Sequence, residues 1–282
     1  MIIDLIQPIN LNATLLSGQA FRWKYKSGWF DGVIGNTHIK LQELSNTKIQ
    51  FSSEPDEESI FTPLLLDYLG YNYDINEIYL SISKDKSITE SIQQYHGMRI
   101  LRQDPWECMI SFICSSASNI KRIANNIEAI CENFGNPILS HANSRKAFPS
   151  AQVLAGVTTK ELRKLGLGYR ADYIQSAALT VLKMRKHLLS YRKESYEDCL
   201  SFLTQIEGIG DKIANCILLF SLDKPNAFPI DVWIDRVLRE SYFATKSKMS
   251  KTHMRLWSQQ YFGPYAGFAN HYLFHSRRKN NA

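Results

Sequence analysis

What this chain lacks narrows it first. No uninterrupted apolar run reaches the roughly 18 residues a membrane-crossing helix requires. Met1-Ile2-Ile3-Asp4-Leu5 has neither the basic region nor the small-residue cleavage site of a secretory signal. These absences predict a soluble, intracellular protein. The five cysteines, Cys108, Cys114, Cys131, Cys199 and Cys216, contain no C-x-x-C pair, so reduced thiols are expected, with no zinc or iron–sulfur site. Internal repeats and low-complexity tracts are missing too. A hydrophobic content of 44% and an aromatic content of 12% argue against disorder. At 282 residues the chain can bury a sizeable core and is expected to form two or three domains.

Acidic residues are scarce where basic ones collect. Residues 251–282 hold five Lys or Arg and no acid, and residues 160–193 hold nine against Glu161 and Asp172. Residues 43–90 reverse the balance, with ten acids and three bases, inside an overall net charge of +6. A single basic run is usually a solvated helix face. Two of them flanking a glycine-rich segment point to a polyanionic partner.

Periodicity divides the chain. From Ala20 to about Phe51, short aromatic or β-branched runs (Phe21–Trp23, Trp29–Ile34, His38–Leu41) are punctuated by Ser27-Gly28 and Gly35-Asn36, the pattern of an antiparallel sheet. The acidic Ser52–Ser59 stretch reads as a connection. From about Phe61 helical spacing takes over: Pro105 suits a first helical position, and Ile120, Ile123, Ile127 and Ile130 mark one apolar face. The class is α+β.

The chemistry concentrates near Ile206-Glu207-Gly208-Ile209-Gly210-Asp211-Lys212. Ser195-Tyr196-Glu197-Asp198 resembles a capping box for a helix before it, and Ile213, Cys216, Ile217 and Phe220 line one face of a helix after it. Gly208 and Gly210 would turn the chain so that backbone N–H groups hold a phosphate. Lys212 then lies beside a sugar-phosphate backbone, and Asp231, just before Val232–Leu238, could face the same spot. An amine and a carboxylate so placed suit covalent attack on a nucleotide sugar. A hairpin that only grips DNA could use the same lysine on phosphate, and Asp231 is a good helix N-cap in its own right.

Several separated stretches carry a family resemblance: Ser17-Gly18-Gln19-Ala20-Phe21-Arg22-Trp23, Leu101–Pro105, Ser111–Ser116, Leu165–Ala171, Asp223-Lys224-Pro225 and Gly263–Gly267. With Lys212 and Asp231, the chain resembles the helix-hairpin-helix DNA glycosylases of base-excision repair, and within them the three-domain, eukaryote-like 8-oxoguanine DNA glycosylase/lyases. The resemblance implies an N-terminal antiparallel sheet domain with trailing helices over residues 1–95. A mostly α-helical, two-lobed region follows over 96–282, with the helix-hairpin-helix at about 195–222 and C-terminal helices packing back.

It implies roles residue by residue. Lys212 attacks C1′ and forms a Schiff base that permits β-elimination, and Asp231 stabilises positive charge on the sugar. That attack needs the neutral amine, which an unperturbed lysine supplies in only about 1 part in 1,000 at neutral pH. The flipped base lies between Cys216 and Phe274, Asn270 reads its Watson–Crick edge, and the Gly18 carbonyl accepts the N7–H that guanine lacks. Tyr169 wedges into the duplex while Arg122 and Arg170 hold the estranged cytosine. Asn119, Gly208, Gly210 and Trp233 complete the DNA contacts. Each has a plainer alternative as a turn, core or surface residue.

Three departures from the family pattern stand out. Ala117 replaces an asparagine that contacts the opposite cytosine, which predicts relaxed opposite-base preference; Asn270 replaces a glutamine, and Trp233 a histidine near a phosphate. The implied partner is double-stranded DNA containing 8-oxoguanine, engaged by a monomer, with no cofactor, no metal and no membrane. The site of action would be the nucleoid in a prokaryote or the nucleus in a eukaryote. The competing functions are a related glycosylase for other oxidised bases and a non-catalytic DNA-binding protein. Cysteines are missing after Cys216, which disfavours the iron–sulfur relatives. His271 and His275 stand four apart, but with no third ligand a metal is not expected.

Overall fold

The computed structural model describes residues 1–138, 145–243 and 249–279. Five strands form one antiparallel sheet: β1 (Ile2–Asp4), β2 (Lys24–Lys26), β3 (Trp29–Ile34), β4 (Thr37–Ser45) and β5 (Lys48–Glu54), in the order β1-β5-β4-β3-β2. Alternation sends Ile39 and Leu41 of β4, and Ile49 and Phe51 of β5, to one face. There they pack on Leu11 and Leu15 of α1 (Leu11–Leu15) and on Phe61, Leu65 and Tyr68 of α2 (Glu58–Tyr68).

The sheet differs from the sequence expectation at both ends. Phe21-Arg22-Trp23 is not a strand: Phe21 enters the large helical core, Trp23 enters the sheet core, and Trp23 Nε1 donates to Tyr68 Oη at 2.9 Å. Alternate side chains serving two cores mimic a period of two without pairing. The acidic stretch is not wholly a connection either. β5 runs to Glu54 because Ser52, Ser53 and Glu54 pair through their backbone with Lys40, Ile39 and His38. β1, only three residues long, is too short to show a period and pairs at the sheet edge.

α3 (Ile75–Ile82) and α4 (Lys86–Gln94) bury Ile78, Ile82, Ile88 and Ile92 in the helical core, not against the sheet. The remaining helices are α5 (Pro105–Cys114), α6 (Ile120–Phe134), α7 (Ala151–Gly156), α8 (Thr159–Lys164), α9 (Arg170–Lys183), α10 (Tyr196–Thr204), α11 (Asp211–Ser221), α12 (Val232–Ser241), α13 (Lys251–Phe262) and α14 (Ala266–Lys279). Every residue of α11 from Ile213 to Ser221 is buried, which makes it the central rod of this core. Side-chain caps from Asp104, Asn119 and Ser195 fix the starts of α5, α6 and α10.

Polar groups bolt the sheet unit to the helices. Arg99 is 1% exposed and donates to the carbonyls of Pro8, Gly70 and Tyr73 and to Gln7 Oε1. Arg102 bridges Asp67 of α2 to Asp223 just after α11. Buried Gln19 bonds the carbonyls of Thr14 and Arg99 and accepts from Leu101 N. All five cysteines are buried and unpaired. Among the described residues no helix is long and apolar enough to cross a membrane.

Candidate active site

α10, the turn 205–210 and α11 form the expected helix-hairpin-helix. Gly208 has φ +83°, and a Cβ there would stand 2.3 Å from Cγ of Tyr173 on α9, so the turn depends on glycine for both conformation and space. Gly210 is exposed and caps α11 without a side chain, so the first N–H groups of that helix have no side-chain acceptor from the cap and are of the kind that can bind a phosphate. Asn215, fully buried, locks the hairpin from within: its Oδ1 accepts from Tyr196 Oη at 2.8 Å, and its Nδ2 donates to the Asp211 carbonyl.

Lys212, in the first turn of α11, is half-buried. Its Nζ donates to Ser115 Oγ at 2.9 Å and lies 5.6 Å from the centroid of the Phe112 ring. Asp231 caps α12, its Oδ1 accepting from Trp233 N at 2.9 Å and Ile234 N at 2.8 Å. Two backbone bonds hold that carboxylate rigidly. Both charges act on Cys216, one turn along α11 from Lys212. Burial pushes its thiol up to about 11, while Lys212 pulls it down and Asp231 pushes it further up. An amine and a fixed carboxylate that both act on one buried sulfur suit attack on an electrophilic carbon with developing positive charge beside it.

Gly18 and Phe274 both lie near Arg278. Gly18 has φ +94° and packs against Ile120, and Arg278 of α14 reaches both Gly18 and the Phe274 ring. Asn270 is buried, and its Nδ2 donates to the Pro229 carbonyl at 2.9 Å, two residues before Asp231. Trp233 is half-buried, with the Arg236 guanidinium 5.5 Å from its ring.

The remaining positions gather on two adjoining turns and the helix starts that follow them. Tyr169 is 49% exposed at the start of α9, with its Oη 3.4 Å from the Ser116 carbonyl. Arg122 is exposed on α6 and touches the Gly166 carbonyl at 3.4 Å. The Asn119 side chain is spent on capping α6. Arg170, expected to reach a base, is instead 3% exposed and donates to the carbonyls of Ser116, Ala117 and Leu167. It holds the 116–117 turn from behind. That turn needs holding, because Ala117 sits at φ +44° without glycine's freedom.

Ser115 is the site residue that sequence reasoning missed. It lies 97 positions from its lysine, and no spacing links the two. His271 is bonded to Ser17 and His275 packs on Tyr95, so neither is arranged as a ligand. Among the described residues no group of three or more His, Cys, Asp or Glu is placed to hold a metal.

Comparison with known proteins agrees with this geometry in two parts. Residues 2–109 match the family described as the 8-oxoguanine DNA glycosylase N-terminal domain, and residues 110–259 match the HhH-GPD superfamily of base excision DNA repair proteins. The N-glycosylase/DNA lyase OGG1 of Arabidopsis thaliana is 32% identical, covering 94% of this chain and 76% of its own. The structure of MBOgg1 with a low-affinity DNA ligand superposes with a TM-score of 0.92 at 33% identity, over 100% of this chain and 96% of that one. An 8-oxoguanine glycosylase/lyase of Clostridium acetobutylicum, bound to double-stranded DNA with cytosine opposite 8-oxoguanine, superposes at 0.90 with 27% identity, over 100% and 99%.

Proposed function

The chain belongs to the HhH-GPD superfamily of base excision DNA repair proteins, in its 8-oxoguanine DNA glycosylase branch, and from that premise we propose a bifunctional N-glycosylase/DNA lyase that excises 8-oxoguanine from duplex DNA. The observation that carries this reading is the Lys212 amine, held by Ser115 at the mouth of the hairpin with its charge and that of Asp231 converging on Cys216.

The turns bearing Asn119, Arg122, Tyr169, Gly208 and Gly210 track the DNA. Tyr169 enters the duplex where the damaged nucleotide leaves the stack, a displacement that costs a few kcal/mol. The base enters between Cys216 and Phe274, its N7–H meeting the Gly18 carbonyl. Guanine would set two acceptors against each other there, leaving both unpaired. Neutral Lys212 forms a bond to C1′ as the C1′–N9 bond breaks. The base departs with that electron pair and takes up a proton, while Asp231 faces the positive charge that accumulates on the sugar. The bound nitrogen then sheds one proton and its lone pair opens the sugar ring: the C1′–O4′ bond breaks, O4′ takes up a proton, and a protonated Schiff base joins Lys212 to C1′. Removal of a C2′ proton then expels the 3′ phosphate by β-elimination.

Ala117 offers no side-chain hydrogen bond to the opposite base, so the enzyme tolerates bases other than cytosine there. It acts as a monomer. Borohydride trapping on duplex DNA with 8-oxoguanine tests the reading. Wild type gives a covalent adduct and Lys212→Gln gives none, whereas a protein that only binds DNA gives none in either form.

A further inference from the structure

α14 turns polar residues toward the segment Leu16–Gln19. His271 Nε2 stands 3.0 Å from Ser17 Oγ, and Arg278 Nη2 donates to the Leu16 carbonyl at 3.2 Å. The other amino group of that guanidinium, Nη1, is buried and has no hydrogen-bond partner among the described residues. It lies 3.1 Å from where a Gly18 Cβ would stand, and the guanidinium carbon is 5.6 Å from the Phe274 ring centroid. A buried donor left without an acceptor is a net cost, and native structures rarely keep one without a use. This one lies beside Gly18 and near Phe274, the two residues assigned to the damaged base.

We infer that Arg278 reads the lesion: with the base flipped in, its Nη1 donates to the C8 carbonyl oxygen of 8-oxoguanine, beside the N7–H accepted by Gly18. The inference rests on the pocket assignment of Gly18 and Phe274 made above and adds a second point of discrimination to it. Guanine carries C8–H in place of that oxygen, so it leaves the guanidinium donor unanswered as well as opposing the Gly18 carbonyl. The lesion is then recognised as a donor and an acceptor side by side, matched by a carbonyl and a cation side by side. A charge-assisted bond in a closed pocket is among the stronger ones available for this purpose.

Arg278 also fixes Leu16, so the test must separate reading from holding. Single-turnover excision is measured on duplexes carrying 8-oxoguanine or 8-thioguanine, which keeps the N7–H but offers a weakly accepting sulfur. Cleavage of a preformed abasic site, which contains no base, serves as the control for fold and chemistry. In Arg278→Leu, 8-oxoguanine excision falls roughly 10- to 100-fold. The preference for the oxo over the thio base collapses, and abasic-site cleavage stays within about twofold of wild type. Arg278→Gln shows the same collapse of the preference should the leucine variant fold poorly. An unchanged rate on 8-oxoguanine, or an unchanged oxo-to-thio ratio, overturns the inference while leaving Lys212 chemistry standing. A wild type that forms no lysine adduct with 8-oxoguanine DNA removes both.

Discussion

Ser115 Oγ stands 2.9 Å from Lys212 Nζ and is the group that orients the amine. The same hydroxyl donates to the Phe112 carbonyl at 2.6 Å, which leaves its lone pairs turned toward the lysine. Ser115→Ala removes the orienting acceptor and leaves the ammonium over the Phe112 ring. Adduct formation under borohydride is expected to slow by about tenfold, the worth of one charge-assisted hydrogen bond. Binding to DNA stays near wild type. An unchanged trapping rate would mean that the serine merely packs there.

Asp231 combines a cap and a charge, and two substitutions separate them. Asparagine accepts the N–H groups of Trp233 and Ile234 as aspartate does, so Asp231→Asn keeps stability but is expected to lose roughly 100- to 1,000-fold in excision. Asp231→Ala loses the same chemistry and about 1 kcal/mol of stability as well. Equal denaturation midpoints for the two variants would show that the cap contributes nothing.

Much of this was legible in the chain. Gly208, Gly210 and Lys212 form one contiguous motif on a hairpin, but the period of Ile213, Cys216, Ile217 and Phe220 suggested one apolar face on a helix that is buried on every side from Ile213 to Ser221. The sheet was legible where strands alternate and turns carry glycine. It was misread at Phe21–Trp23, because a residue's destination among two cores is a tertiary fact. Ser115 and Arg278 were invisible for a related reason. Each acts on a residue far away in sequence, 97 positions for the first and 262 for the Arg278 bond to Leu16. Arg170 was assigned to a base by its neighbours in sequence, yet its donors are taken by backbone carbonyls.

Ala117 occupies left-handed backbone, a conformation asparagine adopts more readily than alanine. Ala117→Asn is therefore expected to fold at least as stably as wild type and to present a side-chain amide on the DNA face. Excision opposite cytosine should then exceed excision opposite adenine by about tenfold, against near-equal rates for wild type. Near-equal rates in the variant would place opposite-base selection elsewhere.

Gly208→Ala strains a left-handed residue and drives a methyl group into the Tyr173 ring. The expected cost is about 1–3 kcal/mol, seen as a lower denaturant midpoint. Affinity for undamaged duplex weakens in parallel, because the displaced turn no longer aims its N–H groups at phosphate. Double substitution with Tyr173→Ala should recover part of the stability by removing the collision. Recovery would be absent if backbone strain alone carried the cost.

Acid sensitivity follows from two buried histidines and a half-buried carboxyl with opposing signs. Burial, with Arg278 nearby, lowers His271 to about 3 and His275 to about 4, so both stay neutral in the folded chain while unfolded histidine gains a proton below its ordinary 6.5. As pH falls from 6.5 toward 4 the unfolded state binds up to two more protons, and stability drops. Glu107 acts the other way: burial raises it to about 7 from its ordinary 4.5, so its contribution is complete below 4.5 and is lost as pH rises through 7. Two histidines outweigh one carboxyl from 4.5 to just below 7, so stability rises through this range and levels off near pH 7. Urea midpoints measured across this range check the shape. His275→Phe, which keeps the ring packed on Tyr95, should make the acid limb shallower, and Glu107→Gln should steepen it. A wild-type profile that is flat between pH 5 and 6.5 would mean that these histidines take up protons without unfolding.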